Sequence, residues 1–435
     1  MRKLHWIVTL VGALALVAAA CTGDDGGGSS GGGGGGDGGG GSEERVTIDL
    51  WTFEEEGFLA TLEAAFEEAN PNIDLNITPY PEENYGVKLD TAIAAGRAPD
   101  LTLYPGPEDI KAGLFLPIDE MVAEKGIDTS TFVPAIVEPG DEFSCSWEDH
   151  LYCLGSFAGS VQMLYNKDLF DAAGIPYPAP FPPMTPDEFV DLACQLTHAE
   201  NQVWGGAASD PLAYVPFDMF FSPDGRTATG YYNGPEMVHQ FEVLASGFER
   251  GCIPASNALD PWTQGTDFFA RGQLGMVVTD FAGLKKVENA GINYGATAPP
   301  TPEGVEPYFF VWTDSVGVMA DSEHPEEAME FIAFLATEGQ RIRYETTSDI
   351  PLDLAIADEV DWAAGVPGRE DGLEVLSHAR PMNFVPNRWD VIAPYYDAWG
   401  LVVGGERSAQ EALDDTVEAV QENLDNAWES WEEQG

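Results

Sequence analysis

Aromatic rings and carboxylates recur together just past stretches that alternate like β-strands. Trp51 ends the alternating stretch that starts at Arg45, and Phe53 follows with Glu54, Glu55 and Glu56. Tyr104 closes a short apolar run from Leu101, and Asp210 and Tyr214 follow Gly205-Gly206. Asp280 and Phe281 come directly after Met276–Thr279, and Trp312, Thr313 and Asp314 sit together in a further strand-like stretch. Rings offer flat apolar faces, while carboxylates accept hydrogen bonds from hydroxyls. That combination suits a ligand with apolar C–H faces and a rim of hydroxyls, the two surfaces of a carbohydrate. Each residue has a plainer reading. Trp51 and Trp312 fit ordinary packing, Tyr165 fits a core, and Trp428 and Trp431 fit a packed terminal helix. Three consecutive glutamates suit a solvated helix start, where the dipole favours negative charge.

Other chemistries lack their residues. The six histidines have no paired spacing and no Cys-x-x-Cys occurs, so neither zinc nor another metal is expected, and no cofactor. A Gly-x-Ser-x-Gly elbow, a His-Glu-x-x-His pair and a phosphate loop are all missing. The expectation is a non-enzyme. An anchored glycoside hydrolase stays open as the alternative, because two carboxylates about 5–5.5 Å or 6.5–9.5 Å apart cannot be read from spacing. With 74 acidic against 19 basic side chains, the chain carries a formal charge of −55. Nucleic acid and anionic lipid are thereby poor partners, and phosphate or sulfate ligands lack cations to meet them. So large an excess points to a saline habitat, since the Debye length falls to about 3 Å at 1 M salt. Melting temperature should then rise with salt; a flat response would remove that inference.

The elements that must hold these residues begin after two leading segments. Arg2 and Lys3 precede an apolar run from Trp6 to Ala20, too short for a comfortable membrane span, and Cys21 follows three alanines. Residues 1–21 thus resemble a lipoprotein signal peptide with its lipobox, and Cys21 is the expected lipidation site. Residues 22–43 are almost wholly Gly, Ser and Asp, a flexible tether with a reach of about 25 Å. Beyond them strand and helix patterns alternate. Helical spacing runs through Phe58–Ala69, Tyr85–Ala95, Asp187–Leu196, Pro235–Arg250, Pro325–Thr337 and Ala409–Asn426. Strand patterns occupy Arg45–Trp51, Asn72–Thr78, Leu274–Thr279 and Val311–Met319. This order predicts an α/β fold with largely parallel sheets. Four cysteines remain besides Cys21, which allows three pairings; Cys145 with Cys153 and Cys194 with Cys252 is the expected one.

Six fragments in order carry a family resemblance: WTFEEEGFLATLEAAFEEANPNIDLNI, KLDTAIAAGRAPDLTLYPGPEDIKAGLFLPIDEMV, LYNKDLFDAAGIPYPAPFPPMTPDEFVDLACQLT, FARGQLGMVVTDFAGL, YGATAPPTP and HPEEAMEFIAFLATEGQ. The chain resembles the bacterial extracellular solute-binding proteins of the maltose type. The resemblance implies a two-lobed, periplasmic-binding-protein-like fold of type II, with the ligand cleft between lobes joined by crossing hinge segments. Lobe one would take residues 44–154 and 314–352, and lobe two 155–313 and 353–435. It further implies a monomeric, lipid-anchored protein on the outer face of the cell membrane that delivers a sugar to ABC permease subunits. A receptor feeding a sensor is the other reading. Ligand contacts are then expected from Trp51, Phe53, Glu55, Tyr104, Asp210, Tyr214, Asp280, Phe281, Asp314 and Trp389. Phe281 stands where the family carries a Trp plate, and Trp389 where the maltose-type receptors have another. The family often places a cation in the first loop, whereas this chain has carboxylates, which leaves room for an amine-bearing solute.

Overall fold

The structure, a computed structural model, describes residues 45–433 apart from 55, 141–142, 208–218, 255–263, 308–309, 348 and 367. At 199, 264, 281 and 282 it describes the backbone alone. Cys21, the tether, Glu55, Asp210, Tyr214 and the Phe281 side chain therefore lie outside the described residues.

Thirteen strands can be followed: β1 (Val46–Thr52), β2 (Ile73–Pro79), β3 (Leu101–Leu103), β4 (Ser146–Trp147), β5 (His150–Leu151), β6 (Cys153–Leu154) and β7 (Gly159–Ser160), then β8 (Gln162–Asn166), β9 (Trp204–Gly206), β10 (Leu274–Thr279), β11 (Tyr294–Thr297), β12 (Val311–Trp312) and β13 (Val316–Val318). Nine of them form a five-stranded sheet ordered β2-β1-β3-β13-β6 and a four-stranded sheet ordered β11-β8-β10-β9, the centres of two lobes, while β12-β7 and β4-β5 are two-stranded. Ile48, Leu50 and Thr52 of β1 are buried in alternation, as the period of a strand requires. Helix Glu56–Ala69 covers that sheet with Phe58, Leu59, Leu62 and Phe66, which share one helical face.

The expectation of largely parallel sheets is corrected. β1 runs parallel to β2 and β3, and β10 to β9. However, β13 is antiparallel to both β3 and β6, and β8 is antiparallel to β10 and β11. The physical reason is the path of the chain. A strand that arrives from the other lobe enters its sheet from the opposite end, so the handed βαβ crossover does not fix its direction.

Three crossing segments are laced together where they pass. β7 pairs with β12, the Ala158 N–H donates to Ile350 O at 2.8 Å, and the Val161 N–H donates to Phe310 O at 2.9 Å. A Cβ at Gly159 would lie 2.3 Å from the Trp312 ring, so only glycine allows this approach.

In the second lobe, helix Pro186–Leu196 opens with a reciprocal capping box between Thr185 and Glu188. Cys194 on that helix is bonded to Cys252, and Cys145 to Cys153, with Cα separations of 4.7 Å and 4.9 Å that suit disulfides. The terminal helix runs Ala409–Glu433, beyond the expected end at Asn426, because Trp428 still packs there and donates to Gly225 O at 2.7 Å. Helix Pro325–Phe334 also continues, through a π turn at Leu335–Gly339 into Gln340–Thr347. Tyr165 is buried, as its plainer reading expects. Among the described residues, no helix is long and apolar enough to cross a membrane.

Candidate ligand-binding cleft

Parallel strands deliver their carboxyl ends to one edge of a sheet, and open α/β sheets place ligands beyond that edge. Here β1 and β3 deliver Phe53–Glu54 and Tyr104, while the crossing segment between β12 and β13 delivers Asp314. Trp51 is half-buried within β1, its ring 4.9 Å from that of Tyr80. Phe53 stacks on Tyr104 at 5.7 Å and meets Tyr85 edge-on at 5.3 Å. Tyr104 adopts φ +53°, a left-handed conformation that aromatic residues rarely take and that costs on the order of 1–3 kcal/mol. Its N–H donates to Ser315 O at 2.9 Å, and its hydroxyl donates to Asp314 Oδ1. The strained backbone thus serves to aim this ring and hydroxyl.

Behind the pair stands a line of charges. Glu54 Oε2 accepts from Arg343 Nη1 at 2.5 Å. Arg343 Nε donates to Asp349 Oδ2 at 2.7 Å, and Asp349 Oδ1 meets Lys285 Nζ at 2.8 Å. The guanidinium carbon of Arg343 lies 4.6 Å from the centroid of the Phe58 ring and 4.3 Å from that of Phe157. Glu54, Arg343 and Asp349 are all buried, at 8 %, 8 % and 9 % side-chain exposure. This polar line runs from the edge of the first sheet to helix Phe281–Asn289, which follows β10 of the second.

Burial, and next the charge of Asp314, push the Glu54 carboxyl up to about 8, although Arg343 pulls it back. Burial and then Asp314 also raise the Tyr104 phenol. Asp349 moves the other way. Burial would raise it, but Arg343 and the hydrogen bond from Lys285 outweigh that and hold it below the usual carboxylate range.

The other expected residues fall into different groups. The Asp280 carboxylate caps its own helix, accepting from the Gly283 N–H at 2.8 Å, and it lines a small space with Ser160, Gln162 and Ile350. Trp389 is 44 % exposed on the short helix Arg388–Ile392, with its ring 6.3 Å from Phe310. Phe310 stacks on Trp312 at 5.2 Å. The segment 311–315 therefore carries Trp312 to one aromatic group and Asp314 to another.

Phe53, Tyr104 and Asp314 come together, whereas the Trp51 ring packs on Tyr80. Sequence reasoning missed Arg343, Asp349, Lys285 and Phe157, and it read Glu54 only as one of a run. One signal was present: Arg343 is a cation in a cation-poor chain, on a helix that continues past Thr337. Among the described residues no group of three or more His, Cys, Asp or Glu could hold a metal ion.

Residues 54–342 match the family described as bacterial extracellular solute-binding protein. The galactooligosaccharide-binding protein of Bacillus subtilis is 25 % identical over 387 residues, covering 82 % of this chain and 84 % of that protein. Two solved structures share the fold. The sugar-binding protein MalE of Xanthomonas citri has a TM-score of 0.74 at 18 % identity, covering 90 % of this chain and 100 % of that one. An ABC substrate-binding protein of Listeria monocytogenes in complex with cycloalternan has a TM-score of 0.69 at 22 % identity, covering 87 % and 99 %.

Proposed function

We propose, from the premise that this chain belongs to the bacterial extracellular solute-binding protein family, that it is the receptor of an ABC importer and that its ligand is a carbohydrate. One observation carries the reading: a phenol hydrogen-bonded to a carboxylate, with an aromatic ring stacked on the phenol, at the carboxyl edge of a sheet. Rings and acceptors so placed meet the C–H faces and hydroxyls of a sugar. The galactooligosaccharide-binding relative supports the same ligand class.

The lobes are 44–154 with 314–352, and 155–313 with 353–435, and they close on the solute about the crossing segments. Asp210, Tyr214, Glu55, Asp280, Phe281 and Trp389 are the remaining ligand contacts in this reading. Cys21 carries lipid and the 22–43 tether holds a monomeric receptor at the outer membrane face beside its permease subunits. Cys21→Ser should release the protein into the medium; continued membrane attachment of that variant refutes the anchor.

The relatives named above are binding proteins, which favours a receptor over a hydrolase. Thermal melts with sugars, amines and amino acids test the function. A true ligand at 100 times its Kd stabilises by about 2.7 kcal/mol. Shifts with amino acids or amines, and none with any sugar, overturn the carbohydrate reading.

A further inference from the structure

Away from the binding edge, three contacts tie the first lobe to the second. A Cβ at Gly140 would lie 2.2 Å from Pro381 Cβ, so only glycine lets the chains touch there. Trp147 meets Phe384 at 4.9 Å and Trp431 at 5.5 Å, both edge-on. Lys111 Nζ lies 4.4 Å from the centroid of the Trp431 ring and donates to Trp431 O. Trp147 is the centre of this seam, and it stands on the β4–β5 hairpin. Two strands of two residues each do not hold a hairpin by themselves. The buried Cys145–Cys153 bond, which brackets it, does.

Register places this hairpin behind the cleft. β13 sets Val316 beside Leu103, at the Tyr104 end, and Val318 beside Leu101, at the other. β6 sets Leu154 beside Val316 and Cys153 beside Gly317, so the chain before Cys153 runs away from the binding edge. There Trp147 packs with Ile110, Phe115 and Met319, and Phe115 bridges to Met319 past the end of β13. The crossings leave from the binding edge itself, after Leu154 and before Val316. The Lys285–Asp349 pair sits beside them, next to Ile350, and so close to the axis of any rotation about them. A rotation that brings the Tyr104 edge toward the second lobe therefore draws Trp147 away from Phe384 and Trp431. We propose that the stapled hairpin is a spur that holds the cleft open, and that Trp147 thereby sets ligand affinity without touching the ligand. This rests on the reading of a receptor that closes on its solute. Aromatic contacts of this kind are worth roughly two- to tenfold in an equilibrium constant. Closure gives them up, and the ligand must make good the loss.

Paramagnetic relaxation in the empty protein tests the spur without a ligand. A spin label at Val87→Cys, 72 % exposed on the first lobe, relaxes second-lobe methyl groups in proportion to the closed population. Trp147→Ala should strengthen that relaxation roughly two- to tenfold. So should Trp147→Leu, which keeps apolar contact with Ile110 and Phe115 but gives up the ring contacts to Phe384 and Trp431. Unchanged relaxation in both variants overturns the proposal. Calorimetry with a galactooligosaccharide should show affinity raised by the same factor in both, and in the paired Cys145→Ser, Cys153→Ser variant. Damage to folding does not tighten binding, so a gain separates the spur from a merely structural role. Unchanged or weakened affinity in the Trp147 variants overturns the proposal; in the cysteine pair alone it overturns the part given to the disulfide. Stronger relaxation while no variant binds any carbohydrate sinks the carbohydrate reading and leaves the spur standing.

Discussion

Lys285 and Asp349 meet at 2.8 Å across the two lobes, the one on a helix that follows β10 and the other beyond the helix that packs on Glu56–Ala69. The second oxygen of Asp349 holds Arg343 at 2.7 Å, so a single buried carboxylate is paired with a cation from each lobe.

The two ends of that pair should behave differently. Asp349 is buried, and Asp349→Ala leaves Arg343 short of a partner in an apolar surrounding, at a cost of about 3–5 kcal/mol. Lys285 is 37 % exposed, so water screens it, and Lys285→Ala should cost less than about 1 kcal/mol. Urea unfolding of the empty protein measures both. Equal losses would show that Lys285 is anchored more deeply than its exposure implies.

Stability should carry the signature of Glu54. Its carboxyl stays protonated up to about 8 in the folded chain but ionises near the ordinary value, about 4.3, once unfolded. Between those limits unfolding releases a proton, so this group's contribution is complete below the lower value and is lost as pH rises to the upper. Asp349, held below its ordinary range, has the opposite sign: its contribution is lost as pH falls through its lowered value. Melts of Glu54→Gln should therefore gain on the wild type from about pH 5 to pH 8 and hold a constant lead above it. A constant offset over the whole window means that Glu54 is ionised when folded.

Binding should separate from folding at the aromatic positions. Tyr104→Phe removes the donor to Asp314, a bond already made in the empty protein, so its loss of about 1–3 kcal/mol should show in the melt of the empty protein. Trp389→Ala should weaken binding roughly ten- to a hundredfold while barely moving the empty melting temperature, because that ring is 44 % exposed. A core tryptophan would instead cost about 3–5 kcal/mol of folding stability. Calorimetry beside melts of the empty protein distinguishes them.

The disulfides close loops of unequal size, 58 residues apart for Cys194–Cys252 and 8 for Cys145–Cys153. Loop-closure entropy makes the first worth about 4 kcal/mol and the second about 2.5 kcal/mol. Paired Cys→Ser variants, unfolded in urea, should rank in that order. The reverse ranking would mean that residual structure in the unfolded chain, not loop length, sets their worth.

Much of this molecule was written in short-range pattern. Alternation at Ile48, Leu50 and Thr52 and the apolar face of Phe58, Leu62 and Phe66 follow from side-chain direction within one element. Their neighbours therefore could be read locally, and Phe53 and Tyr104 stood out because each follows a strand. Tertiary structure alone decided what they meet. Tyr104 finds Asp314 across 210 residues and Glu54 finds Arg343 across 289. No local period encodes such pairings; they depend on crossing segments that return strands in reversed direction. The π turn at Leu335–Gly339 shifts the helical phase ahead of Arg343, so periodicity read through it fails there. The state of Glu54 is decided in the same way. A carboxyl in a run of three glutamates is ordinary in water, and its affinity for a proton rises only because folding buries it, with the charge of Asp314 adding to the effect.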